Sequence, residues 1–343
     1  MSNIMFLVIT LLFLSTRSTG VVGDTLFAGV CDGRNGDNLP SPTQTISLYQ
    51  KINIGWIRLY EPFPDLLNSL QGTGLLVAVG PKNEEIKTLA DQYEYAVNWV
   101  KTFIAPYNVS FNWITVGNEV IQSEIGRYVP QAMRHIKAAL TQTGISRTIH
   151  VTTVLSTAAL ANSYPPSAGV FKPQITEVLT EIASVLSSTD SPLMVNIYPY
   201  FAYASDPSHV SLAYATFGSD KPVVIDGNYQ YTNIFDAAVD SFNAALEKLG
   251  HGGVKVYVAE TGWPTRGNPP YTSVENARAY NQGLLKKLTT GARATPRRPQ
   301  VPVVTFFFEM FNEDLKQGEV EQSFGFFTPN MVPVYDMWNV KCL

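Results

Sequence analysis

Eight short apolar runs, rich in β-branched and aromatic residues, recur along this chain at residues 26–30, 56–60, 75–79, 113–117, 149–155, 193–198, 254–259 and 301–308. Helix-like segments lie between them at 42–50, 64–70, 84–104, 130–143, 174–187, 235–249 and 276–288. Strand alternating with helix is the pattern of a parallel sheet, because parallel neighbours need a crossover and the crossover is usually a helix. Eight such units, uninterrupted by a Gly-, Ser- or Pro-rich linker, predict one (β/α)8 barrel rather than two domains. The clearest helix stripe is Ile175, Val178, Leu179, Ile182, Val185 and Leu186. Ser41-Pro42 reads as a cap with proline at the first helical position, and Gly144 stands where a C-terminal glycine belongs. Two segments depart from the pattern. A ninth strand-like run at 223–226 is expected to be an insertion in a βα loop, and 318–334, after the eighth strand, shows no helix and is expected to be a degenerate last unit. A doubly wound sheet is the competing fold, but no G-x-G-x-x-G follows the first strand.

Only 15% of the 343 residues are charged and the formal net charge is −4, so there is no basic footprint for a nucleic acid. A content of 17 Tyr, 18 Phe and 5 Trp against 24 Lys and Arg suits a surface that stacks on neutral rings such as sugars. At the amino terminus, residues 4–14 are apolar except Thr10, too short for a bilayer span of roughly 17–25 residues. Small and polar residues follow, and Val21-Val22-Gly23 fits a cleavage site, so residues 1–23 are expected to be a secretory signal peptide and 24–343 the mature single domain. Neither a later long apolar run nor a hydrophobic tail suggests a membrane anchor, and the protein is expected to be secreted, extracellular and monomeric. Cys31 and Cys342 either form one bridge or remain two unpaired thiols. Asn108-Val109-Ser110 is a glycosylation sequon between a helix-like and a strand-like run.

Chemistry in a barrel sits at the C-terminal strand ends, so a polar residue that abruptly ends an apolar run is a candidate. Trp113-Ile114-Thr115-Val116-Gly117 runs into Asn118-Glu119, and Val256-Tyr257-Val258-Ala259 runs into Glu260. Two carboxylates at one height on the rim suit glycoside hydrolysis, in which one donates a proton to the leaving oxygen while the other stays ionised. Four histidines (His135, His150, His209, His251) include no H-E-x-x-H or His-x-His pair, and there is no G-x-S-x-G elbow. No cofactor or metal is expected.

At these residues the chain resembles glycoside hydrolase family 17, the plant endo-β-1,3-glucanases and their β-1,3-1,4-glucanase relatives. The resemblance runs through GVCDG at 29–33, WIRLYEP at 56–62, VGNEV at 116–120, NSYPPSAG at 162–169, NIYPYF at 196–201, DGNYQY at 226–231, VAETGWPTRG at 258–267 and FNED at 311–314. It implies a (β/α)8 fold, with Glu119 as acid/base and Glu260 as nucleophile of a retaining endo-hydrolase of wall β-1,3-glucans such as callose, and a role in plant defence or callose turnover. It also implies that Asn118 bonds the sugar 2-hydroxyl. Because adjacent strand side chains face opposite ways, Asn118 and Glu119 both reach the site only if the strand ends or bulges there. Tyr60 and Tyr198 match residues near the reacting sugar. Phe201, Trp263, Phe308 and Phe327 are candidate stacking platforms, and Glu313 and Lys316 a supporting ion pair after the eighth strand.

The chain departs from the family pattern at Asp32, where the first strand usually ends in Tyr. There a third rim carboxylate is expected either to raise its neighbours' pKa values or to replace an aromatic wall by a hydrogen-bond acceptor. Glu309, Asn312 and Leu315 also depart from the pattern. Two rival readings are β-1,3-1,4-glucan hydrolysis on the same scaffold and a weakly active glucan-binding wall protein.

Overall fold

The computed structural model describes residues 28–145 and 149–338. Eight parallel strands close into a barrel: β1 (Ala28–Asp32), β2 (Trp56–Leu59), β3 (Leu76–Val79), β4 (Ser110–Asn118), β5 (His150–Ser156), β6 (Leu193–Asn196), β7 (Val256–Thr261) and β8 (Thr305–Phe307). Neighbours around the ring run β1-β8-β7-β6-β5-β4-β3-β2. The expected (β/α)8 barrel is therefore the fold, with all eight sequence runs in their places.

The outer ring consists mainly of α1 (Pro42–Lys51), α2 (Pro64–Leu70), α3 (Ile86–Asp91), α4 (Tyr93–Phe103), α5 (Val129–Gln142), α6 (Thr176–Ser188), α9 (Ile234–Lys248) and α10 (Val274–Thr289), with α7 (Pro199–Ser205) and α8 (Leu212–Ala215) in the long β6–α9 connection. The helix expected at 84–104 is two pieces, because Gln92 adopts an extended backbone, φ −130° and ψ 99°, and no turn residue marks that break. The run at 223–226 forms a short hairpin outside the barrel, Val224–Asp226 against Tyr229–Tyr231, so it is the expected loop insertion. After β8 the described chain contains only the 3-10 turn Glu321–Ser323, so the last unit is degenerate.

Alternation along each strand divides the core in two. One set of side chains faces the helices, as Val30, Ile57, Val77 and Phe307 do. The other fills the barrel: Cys31, Trp56, Ala78, Trp113, Val154, Met194, Ala259 and Phe306. Trp56 and Trp113 lie 5.1 Å apart, and Phe306 stands about 6 Å from each. This plug needs Gly29, because a Cβ there would meet the Phe306 ring at 2.6 Å. Cys31 Sγ donates to the Ala259 carbonyl at 3.4 Å, and burial pushes its thiol up to about 12. Cys342, its possible partner, and the expected signal peptide lie outside the described residues.

Candidate active site

The top of the barrel is where strands break step. On β4, Thr115 pairs with Thr152 but Asn118 with Val154, so one extra residue is accommodated on β4. Gly117 takes φ +89° and Glu119 φ +59°, and the Glu119 amide donates to the Val154 carbonyl at 2.9 Å. The bulge is the condition under which both Asn118 and Glu119 can reach the site. Strand β7 carries a similar irregularity between Val258 and Glu260 against β6. Glu260 lies within β7 rather than after it, a small shift from the expected strand end at 259.

A hydrogen-bonded chain joins the two carboxylates. Arg58 on β2, 1% exposed, donates from Nη1 to Glu260 Oε1 at 2.5 Å and from Nη2 to Asn118 Oδ1 at 2.9 Å. The Tyr198 hydroxyl donates to Glu260 Oε2 at 2.7 Å, so each Glu260 oxygen has a donor. Asn196, the last residue of β6, donates to Glu119 Oε1 at 2.7 Å and to Asn118 Oδ1 at 3.3 Å. Tyr60 lies under the guanidinium at 4.4 Å and accepts from Arg58 Nη1 at 3.1 Å. The expected residues Tyr60, Asn118, Glu119, Tyr198 and Glu260 thus converge on one network. Arg58 and Asn196 are equally part of it and were not singled out from sequence. Asn196 ends the apolar run Leu193-Met194-Val195, the same signal that marked the two glutamates, and Arg58 is a lone charge within a buried strand.

The two carboxylates occupy different settings. Glu119 is exposed, whereas Glu260 is buried, 6% exposed. Partial desolvation raises the Glu119 pKa, and the Glu260 charge raises it further, while the Asn196 bond opposes the shift. Glu260 carries a guanidinium on one oxygen and a phenol on the other, the environment of a charged carboxylate. This asymmetry fits one proton donor and one anion. Glu321 is a third carboxylate near the pair. Burial raises its pKa, Lys316 opposes the shift, Glu260 adds to it, and its own charge acts on Glu119.

The aromatic candidates separate. Phe201 is 47% exposed and stands 5.7 Å from Tyr198, so its ring is available beside the site. Trp263 is fully buried, packs on Tyr200 and Tyr280, and donates its indole N–H to the Tyr271 carbonyl. Phe327, 2% exposed, packs 6.5 Å from Phe311. Phe308 is buried against Tyr198 and Phe324, with the Lys316 ammonium 4.2 Å over its face. These three rings are core, not stacking platforms, since neighbouring protein groups already cover them.

Asp32 also differs from expectation. Cys31 faces the barrel interior, so Asp32 turns outward, 1% exposed, with no hydrogen-bond partner for either carboxylate oxygen among the described residues. Burial pushes its carboxyl up to about 7; Arg34 opposes this and Glu313 adds to it. It belongs with a buried cluster at the ends of β1 and β8 rather than the groove rim. In that cluster Lys316 Nζ lies 2.5 Å from Glu309 and 3.1 Å from Glu313, so the expected Glu313–Lys316 pair is present with Glu309 as a further member. Burial and the Glu313 charge push Glu309 well above the usual carboxylate range.

A cavity of about 580 Å³ is lined by Arg58, Tyr60 and Asn118 of this network together with Glu61, Lys82, Asn83 and Glu84 among others. Asn108 is exposed between α4 and β4. Among the described residues no helix is long and apolar enough to cross a membrane, and no group of three or more His, Cys, Asp and Glu side chains is placed to hold a metal ion.

Residues 28–339 match the family described as Glycosyl hydrolases family 17. The chain is 40% identical over 339 residues to a Vitis vinifera protein named glucan endo-1,3-beta-glucosidase, covering 97% of each. It is 41% identical over 308 residues to Lichenase-2 of Hordeum vulgare, covering 90% of this chain and 96% of that one. Among solved structures, CJP38, a beta-1,3-glucanase and allergen of Cryptomeria japonica pollen, superposes with a TM-score of 0.87 at 36% identity, covering 92% of this chain and 99% of that one. The two-carboxylate rim and these matches agree: the chain belongs to glycosyl hydrolase family 17.

Proposed function

We propose that this chain is a secreted, retaining endo-hydrolase of β-1,3-glucans in which Glu260 is the nucleophile and Glu119 the acid/base. The observation that carries the reading is the unequal treatment of the two carboxylates: Glu260 is held by Arg58 and Tyr198, while Glu119 gives up its proton less readily, being partly desolvated and beside the Glu260 charge. In the first step Glu260 attacks the anomeric carbon as Glu119 gives its proton to the departing glycosidic oxygen, leaving a covalent glycosyl-enzyme. In the second, Glu119 takes a proton from water, which displaces Glu260 and releases a β-configured end. Arg58 and Tyr198 orient Glu260; Asn196 does the same for Glu119 and, with Arg58, presents Asn118 to the sugar.

The β-1,3 linkage is supported by the names of the relatives, including the grapevine glucan endo-1,3-beta-glucosidase. A mixed-linkage reading is favoured by one observation, the 41% identity to Lichenase-2. Rates on laminarin and lichenan separate the two, and a fall in polymer size that outpaces glucose release establishes endo action. Phe201 offers the exposed ring for stacking, and Tyr60, Asn118 and Tyr198 the polar contacts. Residues 1–23 act as the signal peptide, 24–343 form one catalytic domain that works as a monomer outside the cell, and Asn108 carries the glycan. Mass spectrometry of protein secreted by a plant host tests the cleavage and glycan assignments.

A further inference from the structure

The backbone of Asn118 has an unusual partner. Strand β3 ends at Val79, opposite Ile114, four residues before Asn118 on the neighbouring strand. The amide and carbonyl of Asn118 on that side therefore lack a strand to pair with, and unpaired backbone groups are costly where water is excluded. Asn83, from the turn Asn83–Glu85 that follows β3, fills the place. Its Oδ1 accepts from the Asn118 amide at 3.0 Å, and its Nδ2 donates to the Asn118 carbonyl at 3.2 Å. A primary amide offers one acceptor and one donor side by side, as a peptide does, so Asn83 acts as the missing strand residue. The turn is itself fixed. Glu85 accepts from the Lys82 amide at 2.8 Å and from the Tyr95 hydroxyl on α4 at 2.9 Å.

We propose that Asn83 is a positioning residue for the acid/base carboxylate, clamping the Asn118 peptide so that the bulged end of β4 presents Asn118 and Glu119 at the heights the reaction needs. The proposal rests on the assignment of Glu119 above. Glu119 sits at φ +59° immediately after the clamped peptide, beyond the last strand pairing of β4, so its direction is set by backbone geometry at that point. With both Asn83 bonds lost, the Asn118 peptide would have no partner on its β3 side, and the segment would be held by the Asn118 side-chain contacts, the Asn196 bond to the Glu119 carboxylate, the Thr153 bond to the Gly117 carbonyl and the Glu119 amide bond to Val154. Small displacements of a catalytic group cost rate far more than binding.

Asn83→Asp gives a test that a merely structural role would not satisfy. An ionised Asp can accept from the Asn118 amide, but its second oxygen faces the Asn118 carbonyl without a proton to share. A protonated Asp restores donor and acceptor together. The charged groups lining the cavity around this position are Arg58, Glu61, Lys82 and Glu84, with Glu85 on the same turn. The expected result is that kcat of Asn83→Asp relative to wild type on laminarin rises at least tenfold between pH 7 and pH 4.5. Asn83→Ala should lose about tenfold to a hundredfold in kcat at all pH values with KM changed less than threefold, and both should retain the wild-type circular dichroism spectrum. A pH-independent ratio for Asn83→Asp, or wild-type kcat in Asn83→Ala, overturns the proposal. Glu119→Ala assayed in parallel separates the two levels: if it turns over normally, the acid/base assignment falls and the clamp with it; if it is inactive and the Asn83→Asp ratio stays flat, the clamp alone falls.

Discussion

Arg58 on β2 reaches across the barrel mouth to Glu260 on β7, its Nη1 2.5 Å from Glu260 Oε1, with both side chains almost fully buried. A buried guanidinium beside a buried carboxylate leaves an expensive charge behind if either partner is removed. Arg58→Met is therefore expected to lose about 3–5 kcal/mol of stability, by the usual cost of breaking such a pair. Arg58→Lys keeps the charge but loses the fork that spans Glu260 and Asn118. Its expected signature is a large fall in kcat with a smaller loss of stability, checked by steady-state kinetics and chemical denaturation. Equal kcat for Arg58→Lys and wild type would show that the fork does not orient Glu260.

The Glu260 charge is one of the causes that raise Glu119, so Glu260→Gln should lower the Glu119 pKa. Carbon-13 NMR of labelled glutamate carboxyls in wild type and variant reads this directly. An unchanged Glu119 titration would mean that the two carboxylates do not sense each other.

Burial raises the Asp32 carboxyl in the folded protein to about 7 from its ordinary 3.8, so between those limits the folded state binds more protons than the unfolded one. Stability contributed by its neutral form is complete at acid pH, declines as pH rises above about 4, and is gone above about 7. Asp32→Asn keeps the shape and cannot ionise. Urea denaturation is expected to show the variant gaining on wild type as pH rises from 4 to 8, by at most about 4 kcal/mol at the alkaline end. A difference that does not change with pH contradicts the burial of an ionisable Asp32 carboxyl.

Phe201 and Trp263 should behave oppositely, although both are aromatics close to the site in sequence motifs. Phe201→Ala removes an exposed ring and is expected to raise KM for long laminarin oligosaccharides roughly tenfold, the loss of about 1–2 kcal/mol, with little change in melting temperature. Trp263→Ala opens a cavity among Tyr200, Tyr203 and Tyr280 and should cost about 3–5 kcal/mol of stability. Reversal of that pattern would place Trp263, not Phe201, against the glucan.

The barrel was legible because its strands are buried on both faces and so read as continuous apolar runs separated by helical stripes. Glu119 and Glu260 were legible as polar residues that end such runs, and Asn196 carries that same mark. Arg58 could be suspected as a lone charge among Trp56, Ile57 and Leu59, but its partners come from β4 and β7, which only the closed barrel brings near. The exposed Phe201 and the buried Trp263, Phe308 and Phe327 are aromatic alike, and what covers a ring is set by segments distant in sequence, such as Tyr200 on Trp263 and Tyr198 on Phe308. Asp32 was placed on the rim by its position at a strand end; the side-chain alternation that turns it outward depends on Cys31 facing the barrel, which the composition of β1 does not reveal.

The double-displacement assignment is tested most directly by following reducing-end release from laminarin with proton NMR, using the mature chain beside its Glu260→Ala variant. The expected result is β-configured ends first from wild type, no release from Glu260→Ala, and rescue of the variant by azide as an α-glycosyl azide. Release of α-configured ends first, or undiminished cleavage by Glu260→Ala, would contradict Glu260 as the nucleophile of a retaining enzyme.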